Sequence, residues 1–289
     1  MSKNRLLGHF FAFVTITIWS FAFVSNKALL EYISPIENMI LRFLIALIIL
    51  TIIYPKELIP KSFKDELYFV LLGFLGIFLY FILENFALKF TQATNVGLYM
   101  GAIPIITAIT AHIFSKDESL SRNLIIGFLI AIVGIALILF DGAKFEIRLK
   151  GDLLALLGAT VFAIYSVALK FASKRYHYIT ITRKSFFYGL IFMLIYYFSF
   201  SKSFNIEVLK VPAVWLNIAY LGVLSSTLAF ILWQQGIEKI GSISASNYIY
   251  LVPLITALGG VYFLNESLTP AMIFGGALIL MGLYVAQKK

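Results

Sequence analysis

Apolar residues along this chain come in long unbroken stretches separated by short polar turns, and each stretch is close to the roughly 20 residues that carry one helix across the hydrocarbon core of a bilayer. Ten can be drawn: Leu7 to Leu29, Pro35 to Tyr54, Leu67 to Leu88, Asn95 to Phe114, Arg122 to Phe140, Gly151 to Ala172, Thr180 to Phe200, Ala213 to Gln235, Ser242 to Leu264 and Pro270 to Ala286. Turns such as Tyr54-Pro55-Lys56-Glu57, Ser115-Lys116-Asp117-Glu118 and Asp141-Gly142-Ala143-Lys144 punctuate them with charge, Pro and Gly. A closed barrel would also satisfy every backbone group in lipid, but it needs short alternating segments. The stretches here predict helices.

Composition agrees with a chain whose solvent is mostly lipid. Of the 289 residues 61% are hydrophobic and 13% charged, with a mean hydropathy of +0.94; a soluble fold could not hide that much apolar surface. Ten crossings leave only turns and tails, so no separate soluble catalytic or nucleic-acid-binding domain fits. The net charge of +9 is scattered through turns rather than gathered on one face, which speaks for membrane orientation and against nucleic acid. Lys27, Lys89, Lys144, Arg148, Lys150, Lys202 and Lys210 fall on one side and Arg42 within a span, leaving fifteen of the 23 basic residues on the side of the N-terminus. The positive-inside rule then places both termini in the cytoplasm. The opening run after Lys3 and Arg5 lacks a small-residue cleavage site and reads as the first membrane helix. With no cysteine, disulfides, thiolate catalysis and Cys-ligated metal are excluded.

The strongest organisational signal is an internal repeat. A shift of 149 places Leu72-Gly73 on Leu221-Gly222, Phe81-Ile82-Leu83 on Phe230-Ile231-Leu232, Tyr99 on Tyr248, and Pro104 with Ile106-Thr107-Ala108 on Pro253 with Ile255-Thr256-Ala257. After a one-residue slip, Glu118-Ser119-Leu120 meets Glu266-Ser267-Leu268, and Gly127 and Gly134 meet Gly275 and Gly282. A shift of 143 aligns Gly8 with Gly151 and Lys27 with Lys170. The two copies are residues 1–145 and 146–289. Each has five helices, an odd number, so the second enters the bilayer from the opposite face. The fold class expected is an all-α integral membrane protein of ten transmembrane helices in two inverted five-helix repeats. Such repeats serve alternating access around a midplane site, although a pore or a membrane enzyme can be pseudo-symmetric too.

Several residues resemble a known family. Trp19 and Lys27 in the first helix, Pro35 with Arg42-Phe43, Glu84-Asn85-Phe86-Ala87-Leu88 followed by Thr91, Ala93 and Asn95, the mid-helix Pro104 and Pro253, Asn265-Glu266-Ser267-Leu268, and Gly275 with Gly282 are similar to the drug/metabolite transporter superfamily, and within it to the EamA permeases. The resemblance covers essentially the whole chain. It implies a ten-helix inner-membrane transporter, often an exporter of amino acids or related metabolites. The second copy lacks counterparts to Pro35 and Arg42, so the second helices have diverged.

Among the acidic residues only Glu84 lies well inside an apolar run, where an ionisable group is costly unless paired or wet. Lys27 and Arg42 fall at comparable depth. The trio is either a structural lock on the outer gate or a proton and substrate site in which Glu84 titrates; alternatively Lys27 snorkels to the interface and Arg42 holds a helix end. Trp19, Asn26, Glu84, Asn85, Asn95, Tyr99, Tyr165, Trp233, Gln234, Tyr248 and Tyr250 are candidates for the substrate cavity, giving aromatic walls with a few hydrogen-bonding points; interfacial belts and plain packing are the competing uses of Trp and Tyr. Pro104 and Pro253 are hinge candidates, since each removes a backbone donor, yet prolines are also tolerated in membrane helices without function. The glycines repeating every seven residues permit close helix packing, with homodimerisation the lesser use.

No G-x-S-G or H-E-x-x-H motif, no paired Asp-rich motif and no G-x-x-x-x-G-K phosphate loop is present. The sequence therefore predicts a carrier with no cofactor and no metal, driven by an ion gradient or by its substrate's own gradient. Its expected partners are a small-molecule substrate and the lipid bilayer, with no nucleic acid. A channel or an uptake carrier for small polar solutes is the alternative, and an intramembrane enzyme a more distant one.

Overall fold

A computed structural model describes residues 3–29, 31–91, 93–114, 120–141, 148–200, 206–264 and 269–288, and among these residues it contains helices and no strand. The passes are α1 (Lys3–Leu29), α2 (Pro35–Ile53), α3 (Phe63–Phe90), α4 in two pieces (Ala93–Met100 and Ile103–Phe114), α5 (Arg122–Leu139), α6 (Leu149–Ala172), α7 (Tyr178–Phe200), α8 (Pro212–Ile240), α9 in three pieces (Ser242–Ser246, Asn247–Tyr250 and Leu251–Leu264) and α10 (Pro270–Gln287). Nine of them are, among the described residues, long and apolar enough to cross a bilayer, α9 being the one not among these nine. The fold is thus the all-helical, two-repeat membrane architecture expected.

Local chemistry sets the boundaries. Ser34 caps α2 in a reciprocal box with Glu37, Ser62 accepts from the Asp65 amide, Ser121 from the Leu124 amide and Thr269 from the Met272 amide, each satisfying an orphan N–H of the first turn. The Ser62 cap starts α3 at Phe63, four residues before its apolar run, because a polar first turn is affordable where a helix emerges from lipid. Likewise α8 continues past Gln235 to Ile240. α4 breaks at Gly101 and Ala102, so Pro104 sits in the first turn of a new helix, where its missing N–H is harmless. In α9 the amide that Pro253 lacks would have bonded Ile249, and the chain before it is drawn into a tight 3₁₀ turn over Asn247–Tyr250.

Residues related by the repeat meet one another. Gly8 of α1 abuts Lys239 and Ile240 at the end of α8, and its mate Gly151 of α6 abuts Phe90 and Thr91 at the end of α3. Phe43 packs edge-on against Phe186 (4.9 Å between centroids); Phe43 on Phe81 (5.4 Å) is mirrored by Phe186 on Phe230 (5.0 Å); Trp19 lies edge-on to Phe162 at 6.1 Å. Shifts of 143 and 149 convert each partner of these pairs into the other, so a pseudo-two-fold axis runs through this aromatic cluster. Both repeats also carry a π-helical stretch at the same place, Gly73–Leu79 in α3 and Tyr220–Leu228 in α8.

The glycine repeat is consumed inside the chain. A Cβ on Gly127 would lie 2.5 Å from the Gly282 carbonyl and one on Gly282 2.6 Å from the Gly127 carbonyl; Gly134 and Gly275 show the same reciprocity at 2.6 and 2.7 Å. This is backbone-to-backbone packing of antiparallel α5 and α10, and it leaves those glycines unavailable for dimerisation. Gly127→Ala and Gly134→Ala are therefore each expected to destabilise by about 1–3 kcal/mol through overpacking, read as a lower thermal midpoint in detergent. Val133→Leu, on the exposed face of α5, should leave the midpoint unchanged; equal tolerance of all three substitutions would contradict the close contact.

Candidate functional site

One cavity of about 880 Å³ is bounded by the C-terminal halves of α1, α3 and α9, the N-terminal halves of α4 and α8, the ends of α5 and α10, Arg42 of α2 and Phe162 of α6. Those portions all lie on the membrane side opposite the N-terminus. The cavity runs from an aromatic floor at mid-bundle to helix ends marked by Asn26, Leu139 and Met272. Its floor is Trp19, which meets Phe162, Phe230 and Trp233 at centroid distances of 6.1, 5.3 and 5.3 Å.

The wall carries one cation and one anion of the expected trio. Arg42 is 3% exposed and Glu84 9%. Arg42 donates through Nε to Ser226 Oγ at 2.8 Å and through Nη2 to Ser225 Oγ at 3.1 Å, and its guanidinium carbon lies 5.1 and 5.4 Å from the Phe43 and Phe81 ring centres. A guanidinium has five N–H donors, so these two hydroxyls leave part of the fork facing the cavity. Among the described residues Glu84 accepts one hydrogen bond, a long one of 3.5 Å from Tyr80, one turn earlier on α3. The two charges share the cavity and feel each other's field, yet no ion pair forms between them. Lys27, the third member, has its side chain outside the described residues.

The π-helical stretch of α8 explains how two serines come to face Arg42. Widening the helix to i→i+5 bonding turns successive side chains toward α2 and offers carbonyls to other elements. Trp19 Nε1 donates to the Ser225 carbonyl at 3.1 Å, Thr15 Oγ1 to the Ala229 carbonyl at 3.2 Å, and the Tyr220 hydroxyl to the Ile18 carbonyl at 2.9 Å. α1 is thereby stitched to α8 along the cavity edge.

Of the residues singled out from sequence, Trp19, Asn26, Arg42, Glu84 and Pro253 line this cavity. Asn26 accepts from Asn38 at 2.8 Å. Asn85 turns away to the Phe81 carbonyl (2.7 Å) and Met39. Tyr165 is buried with its ring on Gly76; Trp233, Gln234 and Tyr250 are buried on the N-terminal side of the floor; Tyr99 and Pro104 lie off the cavity wall. Tyr248 faces a separate shallow groove, where its hydroxyl and His9 Nδ1 are 3.0 Å apart. The Asn95 side chain is outside the described residues. Sequence reading passed over Ser225, Ser226, Tyr80 and Tyr220. The i,i+4 spacing of Tyr80 and Glu84 was there to be read, whereas nothing in the sequence marks a π-helical stretch. No cluster of three or more His, Asp or Glu placed to hold a metal occurs among the described residues.

On the side of the N-terminus a polar belt joins the two repeats. Asp65 of α3 pairs with Arg175 at 2.7 Å and accepts from the Tyr176 hydroxyl at 2.8 Å, while Lys61 reaches the Arg175 carbonyl at 2.8 Å. Burial pushes the Tyr176 hydroxyl above its ordinary pKa. Glu66 takes Lys184 at 2.9 Å and also the Tyr188 hydroxyl. Arg183, 3% exposed, donates to the carbonyls of Tyr54, Lys56 and Glu57, with the latter two at 2.8 Å, and Thr180 donates to the Glu57 carboxylate at 2.7 Å. Tyr54 stacks on His177 at 4.4 Å.

Known proteins of the same build agree with a transport role. The EamA-like transporter family matches residues 6–140 and again 149–286. An "uncharacterized transporter" of Archaeoglobus fulgidus is 28% identical over 286 residues, 97% of each chain; the "uncharacterized transporter YyaM" of Bacillus subtilis is 28% identical over 268 residues, 90% of this chain and 87% of that one. A protein of known crystal structure, 20% identical, superposes with a TM-score of 0.84 over 99% of this chain and 97% of its own, which establishes the shared fold. Family and relatives point to a transporter rather than an enzyme. Matched once in each repeat across nearly its whole length, this chain belongs to the EamA-like transporter family of the drug/metabolite transporter superfamily.

Proposed function

We propose that the protein is a secondary carrier for small zwitterionic metabolites, amino acids foremost, working by alternating access with its N-terminal side in the cytoplasm. The observation that carries this reading is a buried guanidinium and a buried carboxylate on one cavity wall without an ion pair between them. Left dry, each charge is costly; a ligand bearing a carboxylate and an ammonium group answers both. The guanidinium fork suits the carboxylate, and Glu84 with the faces of Trp19 and Phe81 suits the ammonium. An aromatic floor with a charged belt beneath it is what a carrier caught facing one side would present, and a closed floor speaks against a standing pore. The basic excess on the N-terminal side supports the cytoplasmic assignment.

Export is the direction implied by the resemblance of Pro35, Arg42, Glu84 and the paired prolines to amino-acid-exporting permeases. Uptake has one observation in its favour: the charged chamber faces the side that this topology makes extracellular. Counterflow in vesicles of known orientation decides between them, and also separates a carrier from a pore. Flux is expected to saturate with substrate; flux that stays linear would contradict a carrier.

Arg42→Gln and Glu84→Gln keep side-chain size while removing charge. Each is expected to raise the half-saturating concentration of a zwitterionic substrate by about tenfold or more, the loss of one charged hydrogen bond. Glu84→Gln with unchanged saturation and unchanged pH dependence would rule out both substrate binding and proton coupling at that residue.

A further inference from the structure

Directly beyond the aromatic floor, on the N-terminal side, lies a set of buried polar side chains with no hydrogen-bond partner at the relevant atoms: Thr107 Oγ1, Ser166 Oγ, Trp233 Nε1, Gln234 Oε1 and both amide atoms of Asn247. Their residues are at most 1% exposed. Unsatisfied groups buried this deeply are uncommon, and each carries a desolvation cost; several on one level of a bundle require an explanation.

Their placement supplies it. Thr107 lies one turn beyond the cavity-lining Ile103 on α4, Ser166 one turn beyond Phe162 on α6, Gln234 one turn beyond Phe230 on α8, and Asn247 two residues before Ile249 on α9. These four elements pack on one another, and Gln234 Nε2 reaches the Leu169 carbonyl of α6 at 3.3 Å. Trp233 holds in the second repeat the position Glu84 holds in the first, 149 residues earlier. Thr107 is likewise the mate of Thr256, which with Glu84 lines the open chamber, so the pseudo-two-fold axis carries that part of the open wall onto this level.

We infer that Thr107, Ser166, Trp233, Gln234 and Asn247 form the N-terminal-side half of the permeation path, a second substrate-binding chamber now collapsed beneath the aromatic floor. Its ligand chemistry differs from that of the open chamber. Amides, hydroxyls and an indole N–H offer neutral hydrogen bonds where Arg42 and Glu84 offer charge, so the same small polar zwitterion is held there by donors and acceptors alone. The belt of Asp65, Glu66, Arg175 and Lys184 ties the repeats together on that side and keeps the chamber shut.

The inference rests on the carrier reading above and is tested separately from it. The chain has no cysteine, so single substitutions report without background. Ser166→Cys and Asn247→Cys are placed in the inner chamber and Ser25→Cys in the open one. Each is treated with a membrane-impermeant cationic thiosulfonate in vesicles of known orientation, with and without Asp65→Asn and Glu66→Gln. With the belt intact, Ser25→Cys is expected to react from the side opposite the N-terminus and the inner cysteines to be silent. With the belt broken, the inner cysteines should react from the N-terminal side about tenfold faster while Ser25→Cys slows. If Ser25→Cys slows and both inner cysteines stay silent, the carrier reading stands and the inner chamber is wrong. If Ser25→Cys is unchanged and the inner cysteines stay silent, both fail. Should Asn247→Cys prevent folding, Ser166→Cys, which exchanges one atom, decides alone.

Discussion

Arg42 is held by hydroxyls and not by a carboxylate, and most of what distinguishes the cavity depends on that. A buried guanidinium normally secures an acidic partner, because neutralisation offsets the cost of leaving water. Here Ser225 and Ser226 orient the fork across the repeat boundary at 3.1 and 2.8 Å without cancelling its charge, and Glu84 is similarly held at arm's length by Tyr80. The cavity thus keeps an anion-seeking and a cation-seeking group in a setting of low dielectric, where each attracts a ligand more strongly than it would in water.

That arrangement is possible because the duplicated halves have diverged at selected places. The backbone symmetry is preserved where it bears on packing: Gly8 and Gly151, Gly127 with Gly282, Gly134 with Gly275, and the paired π-helical stretches. It is abandoned where it bears on chemistry. Arg42 stands opposite Ser185, Glu84 opposite Trp233, and Ser225 and Ser226 opposite Gly76 and Ile77. The open chamber's wall is charged at Arg42 and Glu84 where the repeat-related positions are neutral.

The helical passes and the repeat were legible in the sequence because apolar run length and a shift of about 149 are one-dimensional signals. Trp19, Arg42 and Glu84 were legible too, as polar or aromatic groups where lipid-facing residues would be expected. Ser225 and Ser226 were hidden, since their role depends on a local change of helical pitch that composition does not encode. The belt was hidden for another reason: Asp65, Glu66, Arg175 and Lys184 sit at segment ends, where charge is ordinary, and only the packing of α3 and α7 brings them together. Tyr165, Trp233, Gln234, Tyr248 and Tyr250 resemble cavity residues by type, but none lines the open cavity: Trp233, Gln234 and Tyr250 lie beyond its floor, Tyr165 packs on Gly76 and Tyr248 faces a separate groove.

The most direct measurement pairs ligand chemistry with protein chemistry. Binding of an amino acid, its carboxamide and its deaminated analogue to the purified protein is compared with binding to Arg42→Gln and Glu84→Gln. If the fork holds the carboxylate and Glu84 the ammonium group, each loss on the ligand should be strongly non-additive with its own protein variant and additive with the other. Additivity in every combination would mean that neither charge touches the substrate.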